Sequence, residues 1–462
     1  MSNCSVRIAA FLVLVCATLL ANSACAEGWR AGAAAAKITP RSPMWMAGYA
    51  GRDHPAEGTL ADLWAKALVL EDGSGQRAVL ITLDLIGIDR GLSQSVCTRI
   101  QSRFGVERRQ IIVCTSHTHT GPVVARNLRP MHYALLSSEQ QQAVDKYSCW
   151  LEDRIVETVA RAERRLAPAN LSWGSGQATF AVNRRNNVEK EVPRLRDEGK
   201  LAGPFDHDVP VLAVRDNDNQ LRAVVFGYAC HATVLSFYQW SGDYPGFAQM
   251  ELEHRHAECV AMFWAGCGGD QNPLPRRTVE LAQEYGTRLA DAVDNVLDEK
   301  VTPITGNLEA SYAEIDLPLA ALPSRAEIEK DAQSTNKYIA ARAKAHLAQL
   351  DAGQPLAQTY PYPVSVWRLG SQVQFVALGG EVVVDYALRI KDTLTGKRTW
   401  VAAYANDVMA YIPSRRVLRE GGYEGGGAMI YYGLPTVWDP EVEDMIVDKV
   451  HRLAIPATTT TP

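Results

Sequence analysis

Apolar residues along this chain gather in short runs rich in valine, isoleucine and phenylalanine, a pattern typical of buried β-strands. Five such runs span residues 78–83, 110–114, 222–230, 260–266 and 373–378. Each run ends at a small group of glycine and ionisable or amide residues. Because loops at strand ends hold polar groups over a rigid sheet in α/β proteins, the five endings predict a shared site.

Longer stretches between these runs have helical periodicity. It is clearest in residues 144–165, 278–297 and 324–349, which we interpret as helices with one solvated face over a core. Strands that alternate with helices predict the α/β class, with mixed β-sheets layered with flanking helices.

The first 26 residues have the pattern of a secretion signal. Arg7 precedes an almost unbroken apolar run over residues 8–21, and Ala24-Cys25-Ala26 offers small residues for cleavage. The run is too short to span a bilayer comfortably. We therefore expect cleavage after Ala26 and export to the periplasm or the medium. A retained anchor and a lipid-modified Cys25 are the alternatives.

The composition of the remaining chain is that of a globular protein. A hydrophobic content of 47% is enough for a sizeable core, and a net charge of -5 gives no electrostatic basis for binding nucleic acid. No later segment has the length and apolarity of a stable membrane span. We expect one domain over residues 27–455 and a disordered, Thr-rich tail at 456–462. The oligomeric state stays open.

Six cysteines remain once the leader is excluded, and they permit two interpretations. Export and an even count allow disulfides. However, Cys114, Cys230 and Cys267 lie inside apolar runs, as buried free thiols do. No CxxC motif occurs, so we do not expect a cysteine zinc site.

The clearest chemical pattern follows the run at 110–114. There, His117-Thr118-His119 is followed closely by a Gly121-Pro122 turn. Two imidazoles two positions apart after a strand can both reach one pocket. One of them can bind a metal while the other forms a hydrogen bond with a substrate.

Two further strand ends add compatible groups. His231 follows the run at 222–230, and Glu381 lies between Gly379-Gly380 and an apolar run. A carboxylate buried there needs a cation, either a metal or an arginine. Two imidazoles and a carboxylate are the ordinary ligands of a catalytic zinc, which lowers the pKa of bound water to roughly 7 and polarises a carbonyl. Other divalent ions accept the same ligands.

Other histidine and glycine patterns point less clearly to a site. His254 and His256 lie in a charged, helix-like stretch, which favours a solvated face, and His207 is a candidate loop ligand between two aspartates. No HExxH motif occurs. The glycine-rich residues 421–427 lack the Lys-Ser/Thr ending of a phosphate loop, so we interpret them as a loop that lines a pocket.

A series of short motifs runs in order from residue 38 to about residue 435. The motifs are Ile38-Thr39-Pro40, Met46-Ala47-Gly48-Tyr49-Ala50, Asp84-Leu85-Ile86-Gly87, His117-Thr118-His119-Thr120-Gly121-Pro122, Phe180-Ala181-Val182-Asn183-Arg184, His231-Ala232-Thr233, Ser241-Gly242-Asp243, Gly269-Asp270, Gly380-Glu381, Asn406, Tyr411-Ile412 and Tyr423-Glu424-Gly425. Their order and spacing together resemble the N-terminal catalytic domain of the neutral/alkaline non-lysosomal ceramidases.

This resemblance implies a fold and a set of site residues. The fold is that of a ceramidase catalytic domain. The implied zinc ligands are His117, His231, Glu381 and Tyr411, and the implied substrate-side groups are His119, Arg184, Tyr423 and the backbone of Gly48.

Two features depart from the family pattern. Ceramidases have a Gly-Asp-Val-Ser-Pro motif whose serine lies by the scissile amide, and Asn272 takes that position here. An asparagine amide can donate a hydrogen bond to an oxyanion, but it is no nucleophile. Ceramidases also carry a C-terminal β-sandwich domain, which we expect this chain to lack. Both departures leave ceramide itself open as the substrate.

We therefore expect a zinc-dependent hydrolase that cleaves an amide bond of an N-acyl compound, either ceramide or another N-acyl lipid or amine. Water activated by Zn2+ would attack the carbonyl, Asn272 and the other substrate-side groups would position it, and His119 would protonate the leaving amine. A metal-dependent esterase or lactonase of a non-lipid substrate is one alternative. A non-catalytic, exported ligand-binding protein is another, suggested by Asn272.

Overall fold

The computed structural model of the protein describes residues 28–299, 301–394 and 398–455. The predicted signal segment at 1–26 and the predicted tail at 456–462 lie outside the described residues.

One large mixed sheet and one smaller sheet contain most of the strands. In chain order, the strands are β1 (Trp29–Lys37), β2 (Gly58–Thr59), β3 (Trp64–Glu71), β4 (Arg77–Leu83), β5 (Ile111–Thr115), β6 (Ala167–Gln177), β7 (Ala181–Asn183), β8 (Asp208–Arg215), β9 (Leu221–Tyr228), β10 (Gln239–Trp240), β11 (Val260–Ala265), β12 (Gln271–Pro273), β13 (Thr302–Pro303), β14 (Leu308–Pro318), β15 (Thr359–Leu369), β16 (Val373–Leu378), β17 (Glu381–Val382), β18 (Arg398–Ala402) and β19 (Tyr411–Ile412). The large sheet has the order β11-β9-β8-β6-β1-β3-β4-β5, with β13 paired to β6. Its end pairs β11–β9 and β4–β5 are parallel and its other pairs antiparallel. The smaller sheet has the order β14-β15-β16-β18.

The structure describes eleven α-helices, and six of them begin at a side chain that caps the first turn. In chain order, they are α1 (Arg90–Phe104), α2 (Ser138–Arg164), α3 (Val192–Asp197), α4 (Asp243–Arg255), α5 (Val279–Asp298), α6 (Arg325–Asp331), α7 (Lys337–Asp351), α8 (Val384–Thr393), α9 (Arg415–Glu420), α10 (Met429–Tyr432) and α11 (Val442–Ala454). Ser137 caps α2 in a capping box with Gln140, and the Thr278 hydroxyl accepts a hydrogen bond from the Leu281 amide at the start of α5.

The two sheets pack face to face between outer layers of helices. In β4, Leu80 points toward the smaller sheet and packs in one cluster with Phe375 and Trp400. The next residue, Ile81, points the other way and packs in one cluster with Ile155 of α2. Successive side chains of the strand point to opposite faces, and each face packs against another layer. The strand is therefore buried on both faces. The predicted α/β class of mixed sheets layered with flanking helices is confirmed.

The five predicted strands are present as β4, β5, β9, β11 and β16, and two of the three predicted helices correspond to α2 and α5. The single helix predicted over residues 324–349 is wrong, because the chain forms α6 and α7 with a break between them. At the break, the side chain of Asn336 accepts hydrogen bonds from the amides of Tyr338 and Ile339. Such local bonds compete with the helical pattern, and periodicity alone does not reveal them.

Short backbone pairings bring the predicted strand ends together. Thr118 bridges Ala232, so the segments that carry His117 and His231 lie side by side. Strands β17 and β19 pair in parallel with Glu381 opposite Tyr411. Strands β12 and β7 pair with Asn272 opposite Val182, which places Asn272 close to Arg184. Segments distant in sequence therefore meet at one edge of the fold.

The six cysteines of the described residues are free thiols, of which Cys149 alone is exposed. The interpretation as buried thiols is therefore the correct one for the other five. No helix within residues 28–299, 301–394 and 398–455 has the length and apolarity needed to cross a bilayer.

Candidate metal centre and active-site cleft

His117 follows the end of β5 and is fixed by its backbone and by two neighbours. Its φ of 57° is a left-handed conformation that is uncommon for a residue other than glycine. Its Nδ1 atom lies 2.6 Å from the carbonyl oxygen of Ile86, and the Tyr404 ring packs against it at a centroid distance of 4.3 Å. Because a carbonyl can only accept, Nδ1 carries the proton and Nε2 presents a lone pair.

His231 follows the end of β9 and is held in the same way. Its Nδ1 atom lies 2.6 Å from the carbonyl oxygen of Gly268, so its Nε2 also presents a lone pair. A Cβ atom at Gly268 would lie 2.7 Å from the backbone nitrogen of Cys230, so only glycine lets this loop approach closely. Burial lowers the pKa of His231 to about 4, and the ring is therefore neutral at physiological pH.

Glu381 completes a cluster of converging acceptors. Its Oε2 atom lies 3.0 Å from Nε2 of His117 and 3.0 Å from Nε2 of His231. Its Oε1 atom accepts a hydrogen bond from the hydroxyl of Tyr432.

This cluster fits a divalent cation. Both Nδ1 atoms already hold the ring protons, so no proton remains to lie between the Nε2 lone pairs and the carboxylate. The Glu381 Oε2 atom is buried and has no hydrogen-bond donor among the described residues. Acceptor atoms that converge at such distances are costly to bury without a positive charge. Two imidazoles and one carboxylate are a zinc ligand set, and backbone carbonyls orient the rings as is usual for metal-binding histidines.

His119 is the third imidazole of the cluster, and it differs from the other two. The ligand atoms of His117, His119 and His231 all lie within 4.8 Å of one another, so three imidazoles could also hold an ion. However, Nδ1 of His119 is buried without a hydrogen-bond partner, whereas Nδ1 of each of the other two rings donates to a carbonyl. The geometry therefore favours Glu381 as the third ligand and leaves His119 free to turn toward a substrate. Burial lowers the pKa of His119 well below its usual value.

Tyr411 adds an oxygen atom to this centre. Its hydroxyl lies 3.2 Å from Nε2 of His231 and accepts a hydrogen bond from Nη2 of Arg184 at 3.1 Å. The parallel pairing of β17 with β19 sets this position directly opposite Glu381. The hydroxyl can therefore contribute to the coordination of an ion or contact a bound substrate.

Arg184 organises the wall of the site beside the centre. Its Nε atom donates to Glu424 at 2.7 Å, and Nη2 also donates to the carbonyl oxygen of Gly269 at 2.9 Å. Its Nη1 atom donates to Oδ1 of Asn272 at 3.2 Å. The guanidinium thus fixes the orientation of the Asn272 amide, with Thr233 as a weaker second donor at 3.5 Å.

This orientation leaves the other end of the Asn272 amide available. Its Nδ2 group makes no hydrogen bond within the part of the chain that the structure describes, and the residue lines a cleft of about 780 Å³. Tyr423 also lines that cleft, and the residue is 44% exposed. The cleft therefore offers an amide donor close to the cluster and an open aromatic rim.

Gly48 lies on the wall of the cleft against His119. A Cβ atom there would lie 2.6 Å from Nδ1 of His119, and the φ of 99° also favours glycine. The Gly48 amide donates to Nε2 of the buried His132 at 3.1 Å. Its carbonyl is therefore the backbone group left to contact a substrate.

Comparison with known proteins adds the family. The family model described as neutral/alkaline non-lysosomal ceramidase, N-terminal, matches residues 29–273. The chain belongs to this ceramidase family. The resemblance read from the sequence motifs is thus confirmed.

Individual relatives within the ceramidase family are distant. The neutral ceramidase of Pseudomonas aeruginosa is 23% identical over 94% of this chain and 74% of that protein. Neutral ceramidase B of Dictyostelium discoideum is 26% identical over 46% of this chain and 31% of that protein. A solved structure described as a ceramidase complexed with C2 has a TM-score of 0.71 at 19% identity, over 92% of this chain and 74% of that chain. At this identity the structural likeness shows the fold alone.

The structure brings the residues named by the ceramidase resemblance into one place. Seven of them form a continuous set of contacts, and the remaining two, Gly48 and Tyr423, line the adjoining cleft. The seven are His117, His119, His231, Glu381, Tyr411, Arg184 and Asn272.

Sequence reasoning missed several groups that support this site. Tyr432 donates to Glu381, Glu424 binds both Arg184 and Arg185, and Tyr404 packs on His117. The carbonyls that orient the two histidines have no side-chain signature. Glu424 could have been found, since it lies beside Tyr423 in the glycine-rich loop.

The other histidines have separate roles. Nε2 of His256 lies 2.6 Å from Asp294, and Nε2 of His207 lies 2.9 Å from the carbonyl oxygen of Ala181. Neither belongs to a metal-binding group of the described residues. The glycine-rich loop does line the cleft through Gly421 and Gly422, as predicted.

Proposed function

We propose that the protein is a zinc-dependent hydrolase that cleaves the amide bond of an N-acyl compound. Membership of the ceramidase family supports the class of reaction. The observation that carries the proposal is the approach of two Nε2 lone pairs to Glu381 Oε2 at 3.0 Å with no proton between them. Zinc bound there would supply the Lewis acidity that activates water and polarises a carbonyl.

The side chains around the cluster have complementary tasks. Nδ2 of Asn272 donates to the carbonyl oxygen as negative charge develops on it, and this donor takes the place of the family serine. Arg184 keeps that amide and the Tyr411 hydroxyl in position. Because these donors are fixed before the substrate arrives, little reorganisation is needed during the reaction.

His119 is the group best placed to move a proton. Its Nε2 atom lies 3.2 Å from Nε2 of His117, and an unprotonated imidazole at this position can accept a proton from the attacking water. The protonated ring can then deliver that proton to the leaving amine. An amide needs this second transfer far more than an ester does, because an amide anion is a very poor leaving group.

The nature of the N-acyl compound is the finer part of the proposal. Ceramide and other N-acyl lipids or amines have the required bond. We also propose that the protein acts after export, with residues 1–26 removed. The mass of the mature protein purified from its host tests the export proposal, because retention of residues 1–26 contradicts it.

The test combines metal analysis with a substrate panel. Purified protein is loaded with zinc, its metal content is measured, and N-acyl amines, the matching esters and a short-chain ceramide are offered as substrates. We expect one zinc per chain and amide turnover. His117→Ala should lose both the metal and activity, while His254→Ala, which removes an exposed imidazole outside the site, should lose neither.

Each other result has a distinct meaning. Turnover of esters with no turnover of amides would favour a metal-dependent esterase. Stoichiometric zinc without turnover of any substrate in the panel would favour a ligand-binding protein. Full zinc content in His117→Ala would place the metal elsewhere.

A further inference from the structure

Four arginines line the cleft, and one of them differs from the rest. Arg184 and Arg185 bind Glu424 at 2.7 and 2.6 Å, and Arg276 binds Glu189 at 2.7 Å. Arg277 has no carboxylate oxygen within 4.0 Å in the part of the chain that the structure describes. Its charge is therefore the uncompensated one among the four.

The carboxylates nearest in the fold to Arg277 are already satisfied. Glu189 accepts two hydrogen bonds from Arg276, at 3.0 and 2.7 Å. Asp243 is fully buried and accepts hydrogen bonds from the backbone amides of Val234, Leu235 and Tyr244. Neither acid is free to turn toward the Arg277 guanidinium.

Arg277 is nevertheless held in a defined position. Its φ of 100° is strained for a residue with a side chain, and its amide donates to the carbonyl oxygen of Val234 at 2.8 Å. Its Nη1 atom donates to the hydroxyl of Tyr49 at 3.1 Å, and its Cζ atom lies 5.5 Å from the centre of that ring. A strained backbone that aims an exposed, unpaired cation at a cleft suggests a binding role.

The cation also lies close to the reaction centre. The centre of the Tyr49 ring is 4.8 Å from the centre of the His119 ring. Tyr49 therefore contacts both the Arg277 guanidinium and the His119 ring, and all three line the same cleft.

The lining of the cleft favours polar substrates over long alkyl chains. Its aliphatic side chains are Val188 and Leu274, and Leu274 is completely buried. The other lining residues are polar, charged, aromatic or glycine. A long hydrocarbon chain would find little apolar surface to cover within this cleft.

We propose that Arg277 binds a carboxylate of the substrate, so that the preferred substrates are anionic N-acyl compounds. This inference rests on the proposed amide hydrolysis and specifies its substrate class. The carboxylate has two possible sources: the amine side, as in an N-acyl amino acid, or the acyl side, as in the monoamide of a dicarboxylic acid. Either would form a charge-assisted pair with the guanidinium.

The experiment uses the zinc-loaded full chain and two pairs of amides matched in size. N-acetylglycine is compared with N-acetylethanolamine, and the ethylamide of succinic acid with the ethylamide of butyric acid. In at least one pair, we expect kcat/KM to be about tenfold or more higher for the anionic member, mainly through KM, and the preference to shrink in high salt.

Variants identify the residue responsible. Arg277→Gln should abolish the preference, measured as the ratio of kcat/KM values within each pair, while Arg277→Lys should keep part of it. Arg103→Gln is the matched control, because it removes one exposed arginine outside the cleft that also lacks a carboxylate partner. It should leave the preference intact.

Three results would overturn the inference. Equal kcat/KM within both pairs, in an enzyme that turns over the neutral amides, contradicts it and spares the proposed function. A preference that survives Arg277→Gln assigns it to another group. Failure to hydrolyse any of the four amides, in an enzyme that hydrolyses the short-chain ceramide, contradicts the inference and spares amide hydrolysis, whereas failure on the ceramide as well contradicts both.

Discussion

The inner metal centre and the outer rim of the cleft differ in how deeply their side chains are buried and in how firmly they are held. In the centre, His117, His231 and Glu381 are each at most 3% exposed, and each has a partner that fixes its orientation. At the rim, Tyr423 and Arg277 are exposed, and no described carboxylate pairs with Arg277. Burial and fixed orientation make the centre suited to the chemistry, whereas the open rim is suited to choosing the substrate.

A second contrast lies within the buried region itself. Glu381 and Asp407 are both buried carboxyl groups on neighbouring segments of the chain. Glu381 lies 3.0 Å from the Nε2 atoms of two imidazoles, where a bound cation would balance its charge. Asp407 has no cation within 4.0 Å among the described residues and accepts a hydrogen bond from Tyr360 at 2.7 Å, and burial raises its pKa to about 7. The same degree of burial thus surrounds one carboxyl group with metal-binding side chains and raises the pKa of the other.

Replacement of Glu381 should have the largest effect. Glu381→Gln keeps the shape of the side chain but removes the charge that holds the cation. Residues that only orient a ligand change metal affinity by about 10- to 100-fold. Loss of a ligand itself should therefore lower zinc affinity by more than about 100-fold, with a comparable loss of activity. Competition with a chelator measures the affinity. Glu329→Gln on exposed α6 is the control, and unchanged zinc affinity in Glu381→Gln would remove it from the ligands.

Asp407→Asn tests the contrast between the two acids. Because the folded-state pKa is raised, the stability that Asp407 contributes is complete below about pH 4 and is lost as the pH rises to about 7. The variant should lack this loss, which amounts to at most about 4 kcal/mol of unfolding free energy. Urea unfolding of both proteins at pH 5 and pH 8 measures it. An identical pH dependence in the two proteins would show that Asp407 is ionised in the folded state.

Asn272 lies between the two regions. Asn272→Ala removes the amide that faces the substrate, and we expect kcat to fall by about 100- to 1000-fold with little change in KM. Asn272→Ser restores the family residue and should retain more activity than the alanine variant. Full activity in Asn272→Ala would mean that the oxyanion is stabilised by other groups.

Tyr432→Phe should weaken the centre more mildly. The variant removes the donor to Glu381 Oε1 and leaves the ligand in place, so zinc affinity should fall by about 10- to 100-fold. Tyr431→Phe, at the adjacent position, makes no such bond and serves as the control. Equal zinc affinities for the two variants would show that the hydroxyl does not orient Glu381.

Tyr423→Phe should have the smallest effect. The hydroxyl is at the open rim and forms no hydrogen bond with the described residues, so we expect kcat/KM to change by less than about tenfold and stability by less than about 0.5 kcal/mol. A loss of 100-fold or more in kcat/KM would show that Tyr423 takes part in the reaction and would contradict the distinction between centre and rim.

The main strands and the candidate metal ligands could be predicted from the sequence wherever the hydrophobic pattern was strong. Runs such as 78–83 are apolar on both faces, which marks strands of a layered sheet, and His117, His231 and Glu381 stand directly at strand ends. The break before Asn336 was missed because a side-chain cap there overrides a continuous helical pattern. The Tyr432 bond was missed because 51 residues separate the two partners, and local sequence carries no signal for it.

The most direct test is a crystal structure of the zinc-loaded protein with anomalous diffraction at the zinc edge. We predict one peak within about 2.0–2.2 Å of Nε2 of His117, Nε2 of His231 and an oxygen of Glu381. A peak at any other position in an active crystal, or full activity in crystals without a peak there, would contradict the proposed metal centre.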